Sequence, residues 1–403
     1  MSGTNRRTRV QRTACTAATL MMLAACGQLH RHHGIGAQDE QSHYAGLAFA
    51  VTDPSYASSQ ILYNDFKTGA LKTLSSGESG DPWLKWIGGQ LYLFNRQTGN
   101  INFRTLDATR GEAGRSPQIA TPVGSQPGDP HDAIGLGPGR LLLADYNNSR
   151  LVVIDPATGQ VVQDVTADWD FGGVADAVLR PEALYLHAGS DSNEIYVLHQ
   201  GRGTDQLLSL NGTQSVFVLQ DDGHTVTAVD LDPSRAKVQG IPLTVSNPSR
   251  FFPVDDTTAL VYGGCSAYDP ATCRAGFERV DLARHQATLD FDTATLPYKD
   301  NGSIVAGKDG LYYALMSGTS ADAPKIIARI DTATKTAAEI YRFTGPSGCC
   351  ALYDDASSNT LYTGDSDQDG KANFRLVIIK DDGSAPQTVS LSGMPYSGAF
   401  VAE

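Results

Sequence analysis

No stretch of this chain stays apolar for the roughly eighteen residues that a membrane-spanning helix requires. The uncharged apolar run Ala14–Ala25 falls short of that length. Nor does any long segment repeat apolar residues at the 3.6-residue period, which argues against a helical core. The chain has no G-x-S-x-G elbow, no H-E-x-x-H pair, no C-x-x-C-H haem site and no phosphate-cradling glycine loop. Those absences exclude the common hydrolase, zinc-protease, c-type haem and nucleotide-binding signatures. Positive charge is also scarce: 31 Lys and Arg stand against 44 Asp and Glu, for a formal net charge of −13. Arg6, Arg7, Arg9 and Arg12 account for four of those cations, so the remainder is more acidic still. Such a surface excludes nucleic acid and anionic membrane surfaces as partners and suits solubility outside the cell.

What the chain does have is turn chemistry, with 41 Gly and 19 Pro. The stretch His131–Val162 shows how it is used. Arg140–Asp145 is an apolar run of strand composition, Tyr146–Ser149 is an Asn-rich turn, and Arg150–Asp155 is a second β-rich run. Pro156–Gly159 then turns the chain into Gln160–Val165. Two such runs joined by a short turn are a hairpin signal. One sheet of this kind exposes two apolar faces, so it is stable only within an array.

Hairpins of the same form recur. Leu47–Val51 pairs with Gln60–Asn64, Gln90–Phe94 with Ile101–Leu106, and Arg140–Asp145 with Arg150–Asp155. Ala183–His187 pairs with Glu194–Leu198, Ser215–Leu219 with Thr225–Asp230, and Thr258–Tyr262 with Gly276–Asp281. Leu311–Leu315 pairs with Lys325–Asp331 and Asn359–Thr363 with Phe374–Ile379, which makes eight. The Asp-led ending before Pro-x-Thr-Gly resembles the third-strand ending of NHL/YVTN-type β-propeller repeats of bacterial surface and secreted proteins. The expected fold is all-β: one propeller over residues 45–403 with eight four-stranded blades. Seven is the alternative if the closely spaced fourth and fifth hairpins share a blade. Ser397–Glu403 is expected to close the ring against the first blade, leaving no free edge.

The N-terminus carries an address. The four arginines precede Ala14–Ala25, and the run ends in Leu23-Ala24-Ala25-Cys26-Gly27. That ending resembles a bacterial lipobox. The resemblance implies a signal peptide over 1–25, cleavage before Cys26 and acylation of its thiol, with Gly27 pointing to the outer membrane. Two or more acyl chains anchor a protein stably without a spanning helix. Residues 26–44 then form a polar tether, in which His30, His32 and His33 are either a weak Zn or Cu cluster or a solvated linker.

In propellers of this kind the loops leading into each innermost strand share a face with those joining strands two and three. Counting back from each second strand puts Asp81, His131 with Asp132, Asp176, Asp205, Arg250, Asp300 with Asn301, and Cys349 with Cys350 at the channel mouth. Such a ring either binds a cation or small polar ligand, or caps strand ends around a water-filled funnel.

Cys15 falls in the leader and Cys26 in the lipobox, so four cysteines remain. An even number in an exported chain implies disulfides. Four cysteines allow three pairings, and Cys265–Cys273, bracketing seven residues, is the most local. It would stabilise the fold by about 2–3 kcal/mol on a loop-entropy estimate. Cys349 and Cys350 are left to form a vicinal bridge, to stay as thiols, or, with His131, to hold Cu(I) or Zn. Adjacent cysteines also occur in eight-bladed quinoprotein alcohol dehydrogenases, but Trp83, Trp86 and Trp169 are the only tryptophans and show no blade-by-blade docking motif.

Asp365, Asp367, Asp369 and Asn373 fall at D-x-D-x-D-G-x-x-N spacing, which resembles the calcium loops of FG-GAP repeats. Carboxylates at alternate positions around a Gly turn can supply several of the oxygens that one Ca2+ needs. The expected function is a monomeric, lipid-anchored binding scaffold at the cell envelope, engaging a protein, glycan or small ligand through its loop-rich face. The alternatives are a lactonase-like, metal-assisted hydrolase using His131, Asp132, Asp176 and Asp300, or a redox or copper-handling role for Cys349 and Cys350.

Overall fold

The computed structural model describes residues 44–402 apart from 54, 56, 80–81, 99, 109–118, 122–127, 167–179, 189–191, 201–213, 235–237, 265–272, 319–324, 345–351 and 368–371. The expected signal peptide, Cys26 and the expected tether up to residue 43 lie outside the described residues. Among the described residues, no helix is long and apolar enough to cross a membrane.

The continuous apolar runs fold as strands buried on both faces. In the Leu141–Asp145 strand, Leu141 and Leu143 enter one apolar cluster while Leu142 and Ala144 enter another. Side chains alternate across a strand, so one strand serves two seams between neighbouring sheets. Among the described residues, seven such clusters occur, one at each seam. Each fully buried Leu or Phe in them contributes about 1.5–3 kcal/mol relative to exposure.

The sheets number seven, each with a run of four antiparallel strands, and together they form one all-β propeller. The expected eight blades are therefore corrected to seven. All eight hairpins exist, but the fourth and fifth are the two halves of one blade. There Ala183–Leu198 joins strands one and two, and Ser215–Val229 joins strands three and four. The halves pair directly, Asn193 against Asp221 through His199 against Ser215. Elsewhere the recognised hairpin joins strands two and three, so this blade was counted twice. It carries a short fifth strand as well, Ile241–Pro242, beside Ser215–Val216.

Blade 1 is assembled from both ends of the described chain. Met394–Ala402 is its innermost strand and pairs with Tyr44–Thr52, from Tyr44 against Ala402 to Thr52 against Met394. Phe400 sits at the centre of this closing seam, stacked on Tyr44 at 4.6 Å and edge-on to Tyr362 at 5.9 Å. Gly398 is required there: a Cβ would lie 2.8 Å from the Ala48 carbonyl oxygen and 2.9 Å from the Tyr353 ring.

Candidate functional site

Proline marks where several innermost strands begin: Pro82–Ile87 in blade 2, Pro130–Gly135 in blade 3, Pro181–His187 in blade 4 and Pro248–Asp255 in blade 5. Proline lacks an N–H and so fits a strand's first position. In blades 3, 4 and 5 the residue after it is bulged. Pro130 faces Asp145 and Asp132 faces Ala144, leaving His131 extra; Glu182 and Ser249 are extra in the same way. A bulge bends its strand and re-aims the side chain. Three consecutive blades thus present His131, Glu182 and Ser249 at equivalent positions on the face where the chain enters the channel.

His131 is buried and held from both sides. Its Nδ1 lies 2.8 Å from Glu182 Oε2 and its Nε2 3.2 Å from Asp129 Oδ2. Both contacts are hydrogen bonds only when both ring nitrogens carry hydrogen. The imidazole stacks on Tyr146 at 4.0 Å, with ring planes 12° apart. Tyr146 is itself fixed: its hydroxyl donates to Gln200 Oε1 at 2.7 Å, and the Arg180 guanidinium lies 5.1 Å from its ring centroid. Arg180 Nη1 also donates to the carbonyls of Tyr146 and Asn147. Glu182 is fully buried, and among the described residues its Oε1 accepts no hydrogen bond.

Arg250 follows the blade-5 bulge and is buried, with Nη1 donating to the Ser249 carbonyl at 2.9 Å. Burial pulls its proton affinity down, while Glu182 and Asp132 pull it back up. Those carboxylates come from blades 4 and 3, and Tyr353 of blade 7 also acts on Arg250, so the guanidinium lies towards the ring's axis. Asp132 links three blades. Its Oδ1 meets Lys85 Nζ of blade 2 at 2.6 Å and its Oδ2 accepts Leu184 N of blade 4 at 2.9 Å. His199 is a local acceptor, taking Arg180 N at 3.0 Å on Nδ1; burial, with Arg180 beside it, lowers its pKa to about 3.

Of the residues expected at the mouth, the structure brings together His131, Asp132 and Arg250. Asp81, Asp176, Asp205, Cys349 and Cys350 lie outside the described residues. Asp300 and Asn301 fall on the innermost strand of blade 6, Tyr298–Ala306. Among the described residues, no three His, Cys, Asp or Glu side chains are grouped to hold a metal ion. Cys265 is also outside the described residues, while Cys273 Sγ lies 3.7 Å from the Gly264 carbonyl oxygen, beside the chain that leads into Cys265. In the calcium candidate, Asp369 is outside the described residues and Asp365 is already engaged. Asp365 accepts from Arg375 at 2.5 Å, Tyr341 at 2.8 Å and Ser366 N at 2.8 Å, so its charge is satisfied without a cation. Asp367 Oδ1 accepts Ala372 N at 3.1 Å.

Sequence reasoning missed Asp129, Glu182, Arg180 and Lys85. Aligning the blades on the proline before each innermost strand would have put Glu182 beside His131.

A cavity of about 860 Å3 opens at the opposite end of the channel, lined by Trp86, Ile87, Ile134, Tyr185 and Leu186 among others. Lys85 and Arg140 also line it, each paired with a carboxylate, Asp132 and Asp221.

No family model and no curated protein matches this sequence. Solved structures share its ring. A Lactobacillus plantarum protein aligns at TM-score 0.56 and 13% identity, covering 89% of this chain and 99% of its own. A Bacteroides fragilis protein described as a candidate 6-phosphogluconolactonase aligns at TM-score 0.56 and 13% identity, covering 89% and 98%. A periplasmic gluconolactonase of Pseudomonas aeruginosa aligns at TM-score 0.55 and 14% identity, covering 89% and 99%. At these identities the likeness establishes the fold.

Proposed function

We propose that the cluster around His131 opens small lactones by hydrolysis, in an envelope-exposed domain tethered through Cys26. The observation that carries this reading is the imidazole clamped between Glu182 and Asp129 on a bulge at the channel mouth, with the Arg250 guanidinium near the axis. Two of the similar structures bear lactonase descriptions, and the leader with its lipobox supports the location. In this reading the neutral imidazole, held by Glu182 through Nδ1–H, takes a proton from the attacking water on Nε2, and the imidazolium so formed is the state that also hydrogen-bonds Asp129. The water oxygen bonds to the lactone carbonyl carbon, the ring C–O bond breaks, and the imidazole returns the proton to the departing ring oxygen. The product is the open hydroxy acid. Arg250 faces the charge that develops on the carbonyl oxygen.

A second reading is binding without chemistry at the same face. It is favoured by the engagement of Asp132 and Asp129 within the protein. The discriminating experiment follows hydrolysis of D-glucono-1,5-lactone and its 6-phosphate against the spontaneous rate, using the full chain. We expect catalysis that His131→Asn lowers by about 10²-fold or more in kcat/KM. Rates equal to the spontaneous background on both lactones would overturn the hydrolase and leave the binding face.

A further inference from the structure

On the far side of the ring, at the seam between blades 6 and 7, one carboxyl is left out of every hydrogen bond among the described residues. Asp354 lies on the innermost strand of blade 7, Leu352–Asp355, and is 4% exposed. Among the described residues, neither of its oxygens has a hydrogen-bond partner. Leu352, two residues earlier on the same face, packs into the seam's apolar cluster with Tyr313, Leu361 and Ile379.

Donors on the strands and turns packed against it are engaged elsewhere. Tyr313 of blade 6 gives its hydroxyl to Asp381 Oδ2 at 2.7 Å, and Arg329 of blade 6 donates to both oxygens of Asp381 at 3.1 and 3.2 Å. Ser357 and Ser358 direct their hydroxyls and backbone N–H groups to Asp355. Asn359 Nδ2 donates to the Asp381 carbonyl at 3.4 Å. The charged and titratable groups facing Asp354 are therefore Asp355 on its own strand, Tyr362 on the next, Asp381 beyond the third, and Tyr313 with Arg329 across the seam. An ionised carboxylate with no donor in such a place is strongly disfavoured.

We propose that Asp354 is a proton-operated latch on this seam. With its proton in place, Tyr313 is free to bridge blade 6 to Asp381 of blade 7. When the proton leaves to solvent, a carboxylate with no donor is left buried against Asp355 and Asp381, the blade-7 strand that carries it shifts towards water, and the seam loosens. Burial is the main cause holding the Asp354 carboxyl up to about 8, with Asp355 and Asp381 adding to it. An unfolded aspartate loses its proton near pH 4. Between those values the folded state holds a proton that the unfolded chain has released, so this group makes stability fall as pH rises from about 4 to about 8, and level off above.

The test uses the full chain and its Asp354→Asn variant. Thermal unfolding should show the wild type losing Tm between pH 6 and 9 relative to the variant, with the variant about 5 °C or more higher at pH 9. Hydrogen exchange in Tyr312–Leu315 and Ile326–Arg329, corrected for intrinsic pH dependence, should rise above pH 8 in the wild type alone. Parallel pH profiles for the two proteins would overturn the latch. The wild type also carries its own check, which stands even if the variant does not fold. Its infrared spectrum should show a protonated-carboxyl band at pH 6 that disappears by pH 9, and absence of that band at pH 6 would equally overturn it.

Discussion

Arg375 reaches a carboxylate that has no contact with water. Asp365 is fully buried, and burial alone would raise its pKa; the hydrogen bonds from Arg375, Tyr341 and Ser366 hold it below the usual carboxylate range. Breaking one side of a buried pair leaves an uncompensated charge. Arg375→Ala is expected to cost about 3 kcal/mol in urea unfolding, and the double replacement Asp365→Leu with Arg375→Met to recover much of that loss. A double variant no better than the single one would mean that the lost contacts of the arginine stem, rather than its charge, set the cost. The same residue shows where sequence reading stops. The alternate aspartates are legible, but nothing local in the sequence reveals that Arg375, on the neighbouring strand, and Tyr341, on another blade, are aimed at the first of them.

Turns repeat one device from blade to blade. An aspartate at the end of a third strand accepts backbone N–H groups from the turn that follows: Asp65 from Thr68, Asp155 from Ala157, Asp222 from His224 and Thr225, Asp331 from Ala333 and Thr334. These bonds favour the charged form and hold all four carboxyls below their usual range, Asp222 at about 2. A depressed pKa contributes stability that is present above the unfolded value near pH 4 and is lost as pH falls through the folded one. Acid titration of Tm should therefore show a decline from about pH 4 towards pH 2, opposite in sign to the change around Asp354. A flat acid limb would show that the turns are equally stable without their charges. This device was legible in the sequence because it is local: Asp-Pro-Ala-Thr-Gly spells the turn itself. The number of blades was less legible, because residues 200–214 separate the second and third strands of blade 4 and conceal their pairing. His131 was visible as a polar residue before a second strand, whereas Glu182 lay behind an unread bulge.

Seven seams hold the ring, and six of them join blades that follow one another in sequence. The seventh depends on Met394–Ala402, which gives blade 1 its innermost strand and sets Phe400 against Tyr44, Tyr353 and Tyr362. Removing residues 394–403 should abolish a single cooperative melt and expose the apolar faces of blades 1 and 7 to a hydrophobic dye. A truncated chain that melts as sharply as the full one would mean that closure adds little.

The closing strand also fixes an order in time. A nascent chain is made from its N-terminus, so the partner of Tyr44–Thr52 leaves the ribosome after every other described strand of the ring. Until then three strands of blade 1 lack their inner neighbour, and the ring is an open arc with two unsatisfied ends. Synthesis and completion of the fold are thereby kept apart. That interval is one in which the chain can still be threaded through a narrow pore or held by a chaperone.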